Sequence, residues 1–347
     1  MGTFVYILAG LGACSLTLLL AVGVFFLLVK RKLAKLAAGI ATSDGRSPIR
    51  LHLHRAAVDA PPLPEEAARL CGEFAALGFE QVGPFAIEEM PTTRLVGFAH
   101  PTERLGAAVY HMDGIGAWCD LVARYPEGIE LTVSSAPDMG RVDLRPGKRT
   151  VFEPAARPER LLELFLEARG PEPALPFEPE HFARIFEESY AEDMDWRTLR
   201  GPATDDEIRR VAAASGTAIS EADLERMRAL ERAKWLNSVW DLLALRFGQS
   251  PEAPADWDRR REEAVFIHDR MSPEDVLAAC GALELDVPGL EDIRGGAAGL
   301  LGARYDTSLP ARGLFQNIVD RMEPELRPTR IGALKKPMEA EVWWPRG

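Results

Sequence analysis

Cys119 and His111 lie eight residues apart, and a thiol becomes a nucleophile when an adjacent imidazole takes its proton. His52 and His54 are two residues apart, so on a strand both point the same way and can share a metal ion. Glu187, Glu188, Glu192, Asp193 and Asp195 gather acids around Tyr190 and Trp196, where paired carboxylates can move protons or hold calcium. The run Gly295-Gly296-Ala297-Ala298-Gly299 has the glycine content of a phosphate loop but no strand before it and no helix after it. Each candidate depends on the elements that carry it, and those elements favour plainer readings.

Two turn signals set the register of a sheet. Asp113-Gly114 fits a two-residue hairpin loop, which pairs Met112 with Ile115, Tyr110 with Ala117 and Ala108 with Cys119. Pro126-Glu127-Gly128 fits a three-residue loop, which pairs Tyr125 with Ile129, Arg124 with Glu130, Ala123 with Leu131 and Leu121 with Val133. One face then carries Cys119, Leu121, Ala123, Leu131 and Val133, a core. In this register Cys119 is a buried structural thiol and His111 lies on the opposite face. That opposite face carries Trp118, Val109 and Val122 among Asp120, Arg124, His111 and Glu130, with Asp120 beside Ser134 and Arg124 beside Glu130. An apolar centre with a polar rim is the composition of a ligand or partner groove. The competing expectation, and the favoured one, is that the chain's own helices cover this face, with the Trp235–Trp240 segment as the candidate cover.

His52 and His54 lack a third ligand at any readable spacing, and Arg50 on the same face repels a cation. The acidic cluster lacks the spacing of a calcium loop and reads as a solvated helix face. No metal and no cofactor is expected. The cysteines at 14, 71, 119 and 280 show no Cys-x-x-Cys pair and read as free thiols.

Around the sheet the period is legible. Ile49, Leu51 and Leu53 alternate with polar residues as in a half-buried strand. Pro64, Glu65 and Glu66 open a helix with Ala67, Leu70, Phe74 and Leu77 on one face and Gly78 as its stop. Strands are expected at residues 85–87, 94–100, 107–112, 115–125 and 129–135. A helix follows at 157–169, then a Pro-rich link. Beyond it the period is helical: Phe182, Ile185, Phe186 and Tyr190 share a face, Thr204-Asp205-Asp206-Glu207 is a capping box, Ser220 opens a long helix, and Ser272-Pro273-Glu274-Asp275 opens another. The fold class is α+β: an N-terminal transmembrane helix, an antiparallel meander domain with flanking helices at 49–170, an all-helical domain at 171–325 and a Pro-rich tail at 326–347.

The N-terminal segment rests on charge. Phe4–Val29 contains no charged residue, and its 26 positions exceed the roughly 20 that a helix needs to cross a bilayer. Lys30, Arg31, Lys32 and Lys35 follow at once, so the N-terminus is expected outside and the body in the cytoplasm, with these four side chains at the lipid headgroups. Ala9, Ala13, Thr17 and Ala21 form a small-residue stripe suited to packing against another membrane helix. Residues 1–55 hold seven basic groups and one acid; the rest hold 34 basic and 52 acidic groups, a net of −18. That acidic body argues against nucleic acid as a partner. Ala212, Gly216 and Ser220 resemble the turn of a helix-turn-helix, but the helix after it begins Glu221-Ala222-Asp223-Leu224-Glu225 and would meet phosphate with like charge. Leu11-Gly12-Ala13-Cys14 resembles a bacterial lipobox, which implies an extracytoplasmic lipoprotein. The apolar run after Cys14 and the absence of a basic segment before it depart from that pattern. The expected function is a membrane-anchored, non-catalytic binding or scaffolding module whose partners are the bilayer and other membrane helices or a cytoplasmic protein. The alternative is a membrane-bound enzyme with a site between sheet and helices.

Overall fold

The computed structural model describes residues 47–57, 59, 61–136, 142–214, 216–285 and 305–346. The expected membrane span, its small-residue stripe, the basic collar, Cys14 and the glycine run at 295–299 lie outside the described residues. Among the described residues, no helix is long and apolar enough to cross a membrane. Two compact units are present. The first runs through Asp193 and includes Thr204–Leu224; the second comprises Met194–Ala203 and the residues from Glu225 onward.

The first unit is a seven-stranded sheet whose spatial order follows the chain. Its strands are β1 (Leu53–Arg55), β2 (Glu80–Ile87), β3 (Thr93–His100), β4 (Leu105–Met112), β5 (Gly116–Arg124), β6 (Glu130–Ser134) and β7 (Lys148–Phe152). Neighbours are antiparallel except β6 and β7, which run parallel. Helices α1 (Glu65–Ala76) and α2 (Pro158–Ala168) lie on one face. Their Ala67, Leu70, Phe74, Leu161 and Phe165 pack against Val96, Phe98, Val109, Cys119, Leu121, Leu131 and Val133, all sealed from water. The acidic first turn of α1 and the left-handed Gly78 after it (φ +87°) bound that helix as its sequence implies.

The β5–β6 turn has the expected register: Arg124 faces Glu130, Ala123 faces Leu131 and Leu121 faces Val133. The β4–β5 turn does not. Met112 pairs with Gly116, so the loop holds three residues, Asp113-Gly114-Ile115, and Tyr110 faces Trp118 while Val109 faces Cys119. Both Gly114 (φ +86°) and Gly116 (φ +109°) are left-handed, and a second left-handed glycine lengthens the loop by one residue. One residue of slip turns every side chain of β4 over. Val109 and His111 therefore leave the polar face assigned to them, and Tyr110 takes their place.

Helix α3 (Phe182–Arg200) lies over the second face through its first three turns, with Phe182, Phe186 and Tyr190 against Leu95, Ala108 and Tyr110. Two glycines make room for the rings. A Cβ at Gly97 would come within 2.6 Å of Phe182, and one at Gly106 within 2.4 Å of Phe177. Helix α4 (Asp205–Ala214) carries the expected capping box, the Glu207 amide donating to Thr204 Oγ1 (3.3 Å) and the Thr204 amide to Glu207 Oε2 (2.8 Å).

The second unit is not all-helical. Strands β8 (Val265–His268), β9 (Thr329–Leu334) and β10 (Ala340–Trp344) form a sheet in the order β8-β10-β9. The expected tail thus supplies two strands, and only short helical turns at Trp257–Arg260 and Arg261–Glu263 precede β8. Successive β10 side chains serve two cores. Val342 and Trp344 meet Trp235, Val239, Leu243 and Phe247 of helix α5 (Glu221–Gly248). Trp343 meets Val276, Leu277, Leu314, Phe315 and Ile318 of helices α6 (Pro273–Ala282) and α7 (Ala311–Asp320). The Trp235–Trp240 segment thus belongs to this unit's core.

The register is open to test by truncation. Leu131 is 3% exposed, and Leu131→Ala is expected to cost about 2–5 kcal/mol in urea unfolding. Arg124→Ala, which breaks only partly exposed ion pairs, is expected to cost about 1 kcal/mol or less in the same measurement.

Candidate functional site

The second face of the sheet and the start of α3 border an open cavity of about 170 Å³. Its floor is polar: Tyr110 from β4, Asp120 from β5, Glu130 and Thr132 from β6, and Lys148 from β7. Its wall is apolar and largely aromatic, built by Val122, Phe177, Phe182, Ile185 and Phe186. Strand alternation brings these side chains to one face of the sheet, since Asp120 and Val122 are two apart, as are Glu130 and Thr132.

Asp120 accepts hydrogen bonds from the Ser134 hydroxyl (2.5 Å) and the Tyr110 hydroxyl. Burial pushes its carboxyl up to about 6, although Ser134, Tyr110 and the Lys148 ammonium each favour the charged form. Burial, with the Asp120 charge beside it, also drives the Tyr110 phenol well above its usual range. The Tyr110 ring stacks on the partly buried Trp118 at 5.0 Å with 9° between planes.

Glu130 is 1% exposed and differently placed. Lys148 Nζ lies 2.9 Å from one oxygen, while Ser189 (2.7 Å) and Arg145 (3.3 Å) donate to the other. Burial by itself would raise this carboxyl, but Lys148, Ser189 and Arg145 outweigh it and hold Glu130 below the usual glutamate range. The same two cations reach α3, where Arg145 Nε donates to Asp193 (2.9 Å) and Lys148 donates to it as well. Arg124 bonds to Glu192 (2.9 Å) and Glu188 (3.3 Å) rather than to its cross-strand neighbour Glu130. The acidic cluster is therefore not merely a solvated helix face: Glu188, Glu192 and Asp193 fasten α3 to the sheet. Glu187 adds a bond from the Leu53 amide (2.7 Å), while Asp195 lies in the second unit and pairs with Arg246 (3.3 Å).

Of the seven residues expected on this face, Trp118, Asp120, Val122, Arg124 and Glu130 are there. Val109 is in the opposite core. His111 also points to that side, with Nδ1 3.8 Å from Asp113. The face is covered by the chain itself, but by α3 and Phe177 rather than the Trp235–Trp240 segment. Cys119 and His111 share a face after all, yet the thiol is fully buried, bonded to Ser135 Oγ (3.4 Å) and pushed up to about 12 by burial. Tyr110, Lys148, Arg145 and Ser189 were not foreseen. Tyr110 was hidden by the register slip and the others by sequence distance.

At the far edge of the sheet, His52 and His54 meet Glu89 and Glu88. His52 Nδ1 lies 2.5 Å from Glu89 Oε1, and His54 Nε2 lies 2.9 Å from Glu88 Oε2. The hydrogen bond to Glu89 raises the imidazole of His52 above its usual value. Comparison with known protein families, with curated proteins and with solved structures finds no match to this chain.

The two carboxyls have opposite pH signatures. Between about pH 4 and 6 the unfolded chain releases the Asp120 proton while the folded chain keeps it, so this group's contribution to stability falls as pH rises through that window. Glu130 stabilises above its unfolded value, near 4.3, and that stability is lost as pH falls. Asp120→Asn is expected to flatten the decline between about pH 4 and 6 and to melt no lower than the parent at neutral pH. Glu130→Gln, which leaves Lys148 and Arg145 to Asp193 and Glu192 alone, is expected to cost about 1–3 kcal/mol at pH 7. Calorimetric melts from pH 4 to 8 measure both.

Proposed function

We propose that this chain is a single-pass, membrane-anchored binding module with its N-terminus outside and its body in the cytoplasm. The body takes a small ligand that has a hydrogen-bonding head and an apolar body. The cavity between the sheet and α3 carries the reading: an aromatic wall over a floor of fixed hydrogen-bonding groups is the usual composition of a small-molecule site. The anchor is supported by the uncharged Phe4–Val29 span, the basic residues Lys30, Arg31, Lys32 and Lys35, and the acidic body. The bilayer is the first partner, and the stripe Ala9, Ala13, Thr17, Ala21 suits a second membrane helix.

A second reading, a membrane-bound enzyme, is favoured by one observation. Asp120 and Glu130 share the cavity floor, yet their environments push their acidities apart, as in sites that divide acid and base roles. In that reading Asp120 exchanges the proton. The binding reading leads because the described cysteines are unsuited to attack. Cys119 and Cys280 are buried, and burial pushes both thiols up to about 12 and that of Cys71 up to about 11.

Two measurements test the proposal. A C-terminal fluorescent fusion is expected to be bright and a C-terminal alkaline phosphatase fusion inactive; the reverse places the body outside and restores the lipoprotein. Titration with a fragment panel, read by methyl resonances, is expected to shift Val122 and Ile185 together, and Val122→Phe is expected to abolish the shift. A panel that moves neither methyl removes the ligand site. If a bound compound is turned over and Asp120→Asn stops turnover while binding persists, the enzyme reading replaces the binding one.

A further inference from the structure

His52, His54, Glu88 and Glu89 come together by backbone register as well as by side-chain reach. Leu51 and Leu53 are buried, so His52 and His54 both point outward from the edge of the sheet. The Glu88 amide donates to the His52 carbonyl (3.0 Å), which sets Glu88 directly across from His52. The pairing Leu53↔Ile87 and His54↔Ala86 continues the same ladder. His52, His54 and Glu88 thus share one face of adjoining strands, the arrangement in which cross-strand neighbours are about 5 Å apart. Glu89 turns back over them and accepts from the His52 amide (2.9 Å). Ligand atoms of His52, Glu88 and Glu89 all lie within 4.8 Å of one another. His54 already touches Glu88, and its exposed ring can turn without moving a buried atom.

We propose that His52, His54, Glu88 and Glu89 form a binding site for a divalent first-row transition cation, with zinc as its natural probe. Two imidazole nitrogens and two carboxylate oxygens make a four-coordinate set of borderline donors, which suits zinc and disfavours the oxygen-seeking calcium and magnesium. Glu187, bonded to the Leu53 amide, adds a third negative charge near the imidazoles. Arg50, the one cation expected to oppose such a site, donates to the Ile49 carbonyl (2.7 Å). Four protein ligands leave no open position, so the ion is a staple. It ties β1, a three-residue edge strand, to the end of β2.

The test is isothermal titration of the full chain in detergent, without a polyhistidine tag, using zinc and calcium separately. The expected result is one zinc per chain, no calcium heat, and a rise in melting temperature with zinc. The paired substitution His52→Ala, His54→Ala and the single substitution Glu89→Gln are each expected to weaken zinc by more than the about 10–100-fold lost with a merely supporting group. The His52 and His54 side chains are largely exposed, so the metal-free melt of the paired variant is expected to match the parent, while Glu89, which also holds the His52 amide, is read by zinc affinity alone. Cobalt is expected to give the intense visible bands of a tetrahedral ion with the parent and not with the paired variant. Zinc binding that survives the paired substitution, or a parent chain that takes up no zinc, overturns the site.

Discussion

A carboxylate buried on a sheet face must be neutralised where it sits, and Glu130 imposes that requirement on the first unit. Its charge is sealed from water, so Lys148 and Arg145 have to be brought to it. Lys148 comes from the neighbouring strand, directly across the parallel β6–β7 pair. Arg145 comes from the segment just before that strand and also bonds the Gly128 carbonyl (3.0 Å), which ties the β5–β6 turn to the same group. Two cations exceed the need of one carboxylate. The surplus is met by Asp193 and Glu192 of α3, which fixes where that helix lies on the sheet. The pairing of β7, the turn before β6 and the seat of α3 all follow from one buried charge.

The two faces of the sheet are therefore held by different physics. Under α1 and α2 the contact is apolar and close-packed, and its contribution scales with area removed from water. Under α3 an aromatic patch around Phe182 and Phe186 lies beside a row of ion pairs, with the cavity where the two regimes meet. Asp120 sits in that gap. It is partly buried and bonded to two hydroxyls rather than two cations, and hydroxyl donors compensate less of the lost hydration than full charges do. Hence the two carboxyls move apart in acidity while sharing one face of the sheet.

Much of this was legible in the sequence where the signal was local. The α1 boundaries, the capping box before α4, the start of α6 and the β5–β6 register each depend on residues within a few positions of one another. The β4–β5 register failed for a local reason too. Asp113-Gly114 favours a two-residue loop, but Gly116 supplies another left-handed position and the longer loop with it. The slip inverted Val109, Tyr110 and His111 while leaving β5 and β6 correct, so Asp120 and Glu130 of the floor were found without Tyr110 and Lys148 beside them. What no local pattern shows is pairing across distance. Glu130 to Arg145, Arg124 to Glu192 and Asp193 to Lys148 join segments 15 to 68 residues apart. An acidic run such as 187–195 reads as solvated until the cations opposite it are known. Strands β8 to β10 were missed because β8 is four residues in a strongly charged stretch and its partner β10 lies more than seventy residues away.

A face that is too polar for a core can be sealed only if each of its groups finds a partner, because an unsatisfied polar atom costs more than a satisfied one returns. Here the partners are directional: Ser134 and Tyr110 on Asp120, Ser189, Lys148 and Arg145 on Glu130. Directional partners hold a cavity floor in one arrangement, whereas an apolar filling of the same space would close it by repacking. The aromatic wall cannot collapse onto the floor either. Phe177 and Phe182 rest on Gly106 and Gly97, close against the backbone at positions where any larger residue would lift them. An open space of defined shape, bounded by fixed hydrogen-bonding groups on one side and seated rings on the other, is thus a consequence of how this face is neutralised. That is the physical support for the recognition proposed there.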